Sequence, residues 1–425
     1  AGKIVSEKEN KVLGFKELTL SNGARVILKK TGFKDNEIQF QAVAKGGKGL
    51  YGKADFDNLQ LFDAVMGNSG LGNFSHQELQ KALSGKQASM SCTLSNYYQM
   101  LGGSCVPKDV ETMMQLLYLN FTDVTKDEAS FKSMMSQFEL ALKNKDLSPE
   151  SVFSDSVTCT IYGHEARFAP VTLNTLKGVD YDRILQIWKE RYANPGQFVY
   201  YFVGNFDEAA LRPLIEKYIA SLPKGKAENW QDVPGFAAGK IENRFTRKSE
   251  TPKAIAFELW HAPMAYTVEN SVLTDAAAQV LSMVYLKSIR EEGSMAYSVG
   301  AQGEASYGSK EEYLIYVSCP VKPAKADSAL YLIDLGLKEV AKDGCTKEEL
   351  DKIKQFNLKN YADNQKVNSY WASLIRSKTL WNKDLHTGYE AVINGLSSDD
   401  LKNFVNNVVL KKLNRLTITM LPASL

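Results

Sequence analysis

Four signals recur along the chain in the same order and at nearly the same spacing. A β-type run ends in Ser104-Cys105 and another in Ser318-Cys319. Pro107 opens a helical pattern, and so does Pro323. Thr125 with Glu128 reads as a capping box, as Thr346 does with Glu349. A segment from Leu176, followed by the strand Phe198–Val203, returns at Leu396 with the strand Leu416–Met420. The offsets are 214, 216, 221 and 220 residues. One match of this kind is common, whereas four in register describe an internal duplication with a repeat of about half the chain. Each copy must then carry its own core, and 425 residues suit two domains. The order in each copy is strands, helix, strands, then paired helices. It predicts an α+β fold of two tandem homologous domains, each a mainly antiparallel sheet with helices packed on one face. The expected boundaries are 1–222 and 240–425, with a linker at 223–239 rich in Gly, Pro and Lys.

Local patterns fill in this plan. A turn at Ser21-Asn22-Gly23 separates two strand-like runs, and a further strand, Ile38–Ala44, ends at Gly46-Gly47. Asp57–Val65 reads as a helix, and Ser75 with Glu78 as a capping box. Met90–Cys105 reads as a hairpin. Val110, Met113, Leu117 and Phe121 then fall on one helical face, as do Phe131, Met134, Phe138 and Leu142.

Composition excludes several classes of function. Hydrophobic residues make up 44% and charged residues 24%, with a net charge of +2, and no Lys/Arg block is interleaved with aromatics. Nucleic acid is therefore not an expected partner. No apolar run reaches membrane-spanning length, and the start, AGKIVSEKENK, lacks a secretion signal's apolar segment. Either the protein stays inside the cell or this is a processed or excised piece. Five cysteines (Cys92, Cys105, Cys159, Cys319, Cys345) without a CxxC read as small buried residues, with a Cys92–Cys105 bridge left open. There is no GxSxG. Gly67-Asn-Ser-Gly-Leu-Gly72 lacks the Lys-Ser or Lys-Thr of a phosphate loop.

One stretch offers chemistry. Leu286–Val299, LKSIREEGSMAYSV, reads as a helix stopped by a left-handed Gly293, with a strand beginning at Ala296. Arg290 and Tyr297 then flank the turn, a guanidinium fork and a phenol that could together hold a carbonyl oxygen or an oxyanion. The plainer reading is a solvated Arg favoured by the helix dipole and a Tyr packed at a strand start.

A tandem pair of such domains with R-x6-Y in the second copy resembles the pitrilysin/insulinase family of zinc metallopeptidases. The likeness runs through LSNGARVIL, the GLYGKAD region, LKGVDYDRILQIWKERYANPGQFVYYFVGNFD and IREEGSMAYSV. In two-half members the first half carries the zinc-binding HxxEH and the second the Arg and Tyr. This chain resembles that second half, from a bacterial protein of periplasmic type. The resemblance implies that Arg290 and Tyr297 hold substrate and stabilise the tetrahedral intermediate, while zinc sits in the partner half.

The zinc motif itself is absent. HxxEH would fall around Gly52–Met66, which reads GKADFDNLQLFDAVM, without histidine. Asp55, Asp57 and Asp63 alone suit harder cations than zinc. His76, His164, His261 and His386 form no ligand set with matched spacing. The leading expectation is therefore the non-zinc half of a metalloendopeptidase, inactive alone, which encloses unfolded peptides together with an HxxEH-bearing half. That half would be either on the same longer polypeptide or on a separate subunit. The alternative is a catalytically inactive structural or peptide-binding homologue that serves as an assembly partner.

Overall fold

The structure, a computed structural model, describes residues 2–411 and 414–423. Backbone contacts divide the chain into two compact units. The first comprises Ala1–Lys143, Val171–Val233 and Gln365–Arg376, and the second Asn144–Pro170, Pro234–Asn364 and Ser377–Leu425. Each unit thus includes a segment from the other half of the sequence.

The first unit holds β1 (Ile4–Asn10), β2 (Phe15–Leu20), β3 (Arg25–Lys30), β4 (Ile38–Lys45), β5 (Gly70–Leu71), β6 (Ala88–Leu94), β7 (Tyr98–Cys105), β8 (Val124–Thr125) and β9 (Val199–Gly204). Seven of them form one sheet in the order β1-β2-β3-β9-β4-β7-β6, and β5 pairs with β8 apart from it. Only β3 and β9 run parallel; every other neighbouring pair is antiparallel. The alternation of β4 explains the layering. Ile38, Phe40, Ala42 and Ala44 are buried in a core shared with helices Phe56–Gly67, Val110–Thr122, Tyr181–Arg191 and Glu208–Tyr218. Gln39 and Gln41 point the other way, where the Gln365–Arg376 segment lies. There Arg376 Nη1 donates to Gln41 Oε1 at 2.9 Å, and the Lys29 ammonium sits 4.0 Å from the Trp371 ring centre. Gly23 turns the β2–β3 hairpin at φ 93°, and Asn22 Nδ2 fastens it to the carbonyls of Ile219 and Leu222.

The second unit holds β10 (Lys240–Arg247), β11 (Ala254–Pro263), β12 (Gly300–Ser306), β13 (Glu312–Val321) and β14 (Asn414–Pro422). Their order is β10-β14-β11-β13-β12, with only β10 and β14 parallel. Order and senses match the inner strands β3-β9-β4-β7-β6 of the first unit, so the duplication is present in the topology. Helices Val268–Tyr285, Ala326–Asp343 and Ser398–Phe404 cover one face. One helix adds to the expected plan: Pro149–Ile161 lies on the opposite face, where Phe153 and Ile161 pack with Ile255, Phe257, Leu259 and Ile418. This double cover explains why Ala254–Ala262 of β11 is buried throughout. Among the described residues no helix is long and apolar enough to cross a membrane.

One local expectation needs correction, and one pairing left open is decided. Thr125 does not cap the following helix, because Val124 and Thr125 are drawn into pairing with β5. Asp127 takes that role, its Oδ1 accepting from the Ser130 amide at 3.0 Å. Thr346 and Glu349 do form the reciprocal box, at 2.8 and 3.2 Å. The Cys92–Cys105 bridge is absent. Cys92 lies opposite Leu101 and Cys105 opposite Ala88, four residues along the strand, about 13 Å and beyond disulfide reach. Both are free thiols, as are the other three cysteines.

Candidate functional site

Helix Val268–Tyr285 starts at Thr267, whose side chain accepts from the Asn270 amide, and buries Val272, Ala276, Ala277, Val280 and Leu281. It does not stop at Tyr285. The chain continues as a π-helical segment, Leu286–Glu292, whose wider turns are common at functional sites. Ile289, fully buried, anchors the segment, and the next residue, Arg290, is exposed.

The turn is built differently from the sequence expectation. Gly293 is right-handed at φ −80°, and the left-handed residue is Ser294 at φ 52°. Gly293 is required for space instead: a Cβ there would lie 2.7 Å from Ser288 O and 3.1 Å from Ile289 O. Backbone hydrogen bonds from the Ser294 amide to Arg290 O (3.2 Å), the Met295 amide to Ile289 O (3.0 Å) and the Lys322 amide to Met295 O (3.0 Å) fix the loop. Ala296 makes an isolated bridge with Val321, and the strand begins only at Gly300. Tyr297 is 85% exposed. Arg290 and Tyr297 thus flank one braced turn, and among the described residues neither side chain has a hydrogen-bond or ion-pair partner.

The segment where HxxEH would fall forms a short 3-10 turn and helix Phe56–Gly67. Its carboxylates already serve the fold. Asp55 receives both Arg183 Nε (2.8 Å) and Nη2 (2.9 Å), which holds its carboxyl below the usual range. Asp63 accepts from the Leu94 amide at 2.9 Å, and burial pushes its carboxyl up. Asp57 lies beside Gly178, where a Cβ would come within 1.9 Å of its Oδ2. The histidines are dispersed. His76 meets Gln80, His164 sits in a left-handed turn, His261 Nε2 lies 3.2 Å from Ala237 O, and His386 packs on Tyr361. Among the described residues no group of three or more His, Cys, Asp or Glu could hold a metal ion. Among the described residues the donors do not fit zinc.

A cluster that sequence reasoning missed lies on β11 and β14. Glu258 is completely buried, and Arg415 grips it through Nε (2.6 Å) and Nη2 (2.7 Å). Thr417 Oγ1 adds a bond at 3.0 Å, and Arg415 Nη1 reaches Asp334 at 3.2 Å. The available signal was a lone carboxylate inside the apolar run AIAFELWHAP. The cluster borders a cavity of about 430 Å³ beside Tyr331.

Residues 178–357 match the family described as "Peptidase M16 inactive domain". A "Probable zinc protease PqqL" of Escherichia coli is 24% identical over 98% of this chain and 45% of its own length. A "Zinc protease PQQL-like" of Arabidopsis thaliana is 22% identical over 88% of this chain and 38% of its own. The chain therefore spans less than half the length of these curated relatives. The crystal structure of the Escherichia coli periplasmic protease PqqL superposes at TM-score 0.83, with 22% identity over 99% of this chain and 47% of that one. Its separately solved first half gives 0.73, at 14% identity over 99% and 93%. Residues 178–357 thus resemble the inactive-type domain of the M16 peptidases, and over nearly its whole length the chain shares the fold of the PqqL structures.

Proposed function

We propose that this chain is the non-zinc half of a zinc metalloendopeptidase, working with an HxxEH-bearing half to enclose and cut unfolded peptides. The observation that carries this reading is the Arg290–Tyr297 turn. Two hydrogen-bond donors, exposed and without partners among the described residues, flank one braced loop. In this reading Tyr297 donates its phenolic hydrogen to the oxyanion that develops on the attacked carbonyl. Arg290 donates from its guanidinium to a substrate backbone carbonyl and fixes register. Zinc, its ligands and the water it activates belong to the partner half, either on the same longer polypeptide or on a separate subunit. The relatives named as zinc proteases are more than twice as long as this chain's match, which supports a second half. A periplasmic location is part of the proposal, by analogy with the protease described as periplasmic. We also place the boundary of the duplication within 223–239.

The second reading, a non-catalytic assembly partner, draws on the absence of zinc-fitting donors among the described residues. The test is Tyr297→Phe in the assembled enzyme. Loss of an oxyanion donor lowers kcat by about 10²–10³ with little change in KM. Unchanged turnover would remove Tyr297 from the reaction and favour the second reading.

A further inference from the structure

The two sheets differ at one edge. In the first unit β3 carries β2 on its outer side, with Leu18 opposite Val26, and β1 beyond that. In the second unit β10 occupies the place of β3 and, among the described residues, pairs only with β14. The sheet rows record the difference chemically. Val26-Tyr200-Ala42 and Leu28-Phe202-Phe40 cross the first sheet as apolar rows. The same rows in the second sheet read Lys240-Arg415-Trp260 and Glu242-Thr417-Glu258. Charge has replaced apolar core where the edge is open.

The direction of the free backbone groups follows from the ladder. Gly239 O accepts from the Arg415 amide and Arg247 O from the Ala423 amide, so the odd-numbered residues of β10 face β14. Lys240, Glu242, Arg244 and Thr246 therefore turn their N–H and C=O groups outward, where the described residues offer no partner. Side chains alternate across this edge. Ile241 and Phe245 pack with the cluster of helix Pro149–Ile161. Arg244 instead meets Asp327 of the helix on the opposite face at 2.7 Å.

A charged edge by itself discourages pairing. The arrangement of these charges does the reverse for one partner. Two β10 strands set antiparallel about a two-fold axis at Asn243 place Glu242 opposite Arg244 of the second copy, twice. They also place Ile241 opposite Phe245 on the other face, twice. The pairs Glu242/Arg244 and Lys240/Thr246 are then hydrogen-bonded pairs, as their outward backbone groups require. Sliding the register by two residues in either direction sets Glu242 against Glu242 or Arg244 against Arg244.

We propose that β10 is a self-docking edge, through which two copies of this chain join their second-unit sheets by antiparallel β10–β10 pairing. The occupant is a second copy because the strand is complementary to itself in one register. A short two-strand seam with two ion pairs makes a weak, concentration-dependent dimer.

Sedimentation velocity on the full chain tests this. The expected result is exchange between a 47.3 kDa species and its dimer as concentration rises. Glu242→Lys sets like charges opposite each other at two places and weakens dimerisation by about tenfold or more. The swap Glu242→Arg with Arg244→Glu restores it to within about threefold, and an unchanged thermal melt of the single variant excludes misfolding. Monomer alone up to about 100 µM, or a dimer indifferent to Glu242→Lys, would overturn the proposal.

Discussion

Glu258 is a carboxylate without exposure whose compensation comes from Arg415 and Thr417. Burial pushes its carboxyl up while the guanidinium pulls it down, and burial is the larger effect. Removing Arg415 alone strands the charge, so Arg415→Ala should cost about 3–5 kcal/mol in denaturant unfolding. The first unit has Phe40 and Tyr200 in the corresponding places. The double variant Glu258→Phe/Arg415→Tyr should therefore recover most of that loss, and no recovery would mean the rows are not equivalent. His261 supplies a pH dependence. Burial lowers its pKa below 6.5, so the unfolded state binds more protons as pH falls below that value. Stability should decline through this window, and His261→Gln should flatten the decline in melts between about pH 7 and 5. Arg290→Lys keeps the charge but loses the fork. In the assembled enzyme it should raise KM by about tenfold or more, and an unchanged KM would argue against a substrate-positioning role.

At the scale of elements, most strands and helices were legible because their apolar residues repeat at two or at three-to-four positions. Ile38, Phe40, Ala42 and Ala44 mark one side of β4, and Met113, Leu117 and Phe121 one side of a helix. The ends were less legible. Asp127 and Thr125 are both good caps, and only pairing of Val124-Thr125 with Gly70-Leu71 decides between them. Arg290 and Tyr297 could be named from the sequence, but not their turn. Leu286 and Ile289 fit an α-helix as well as a π-segment, and the left-handed residue is Ser294 rather than Gly293. Gly293 matters through its missing Cβ. Gly293→Ala should loosen the loop, seen as faster hydrogen exchange at the Met295 amide that now bonds to Ile289 O. Unchanged protection there would show that the turn tolerates a side chain.

The duplication governs the whole molecule, and it was legible because the capping, proline and strand-end signals fall at a common offset. The placement of Asn144–Pro170 and Gln365–Arg376 was not, since an amphipathic helix announces a buried face without naming the sheet it meets. Each unit therefore takes part of its second face from the other half of the sequence. Separate expression of 1–233 and 234–425 should give fragments without cooperative unfolding, with a cooperative melt regained on mixing. Two independently folding fragments would contradict this. The shared active site proposed for Arg290 and Tyr297 is tested most directly by cleavage of a quenched unstructured peptide. The chain is assayed alone and with an HxxEH-bearing half, with and without a chelator. Activity is expected only in the mixture, abolished by the chelator and reduced by about 10²–10³ with Tyr297→Phe. Cleavage by this chain alone, or silence from a mixture shown to have assembled, would contradict it.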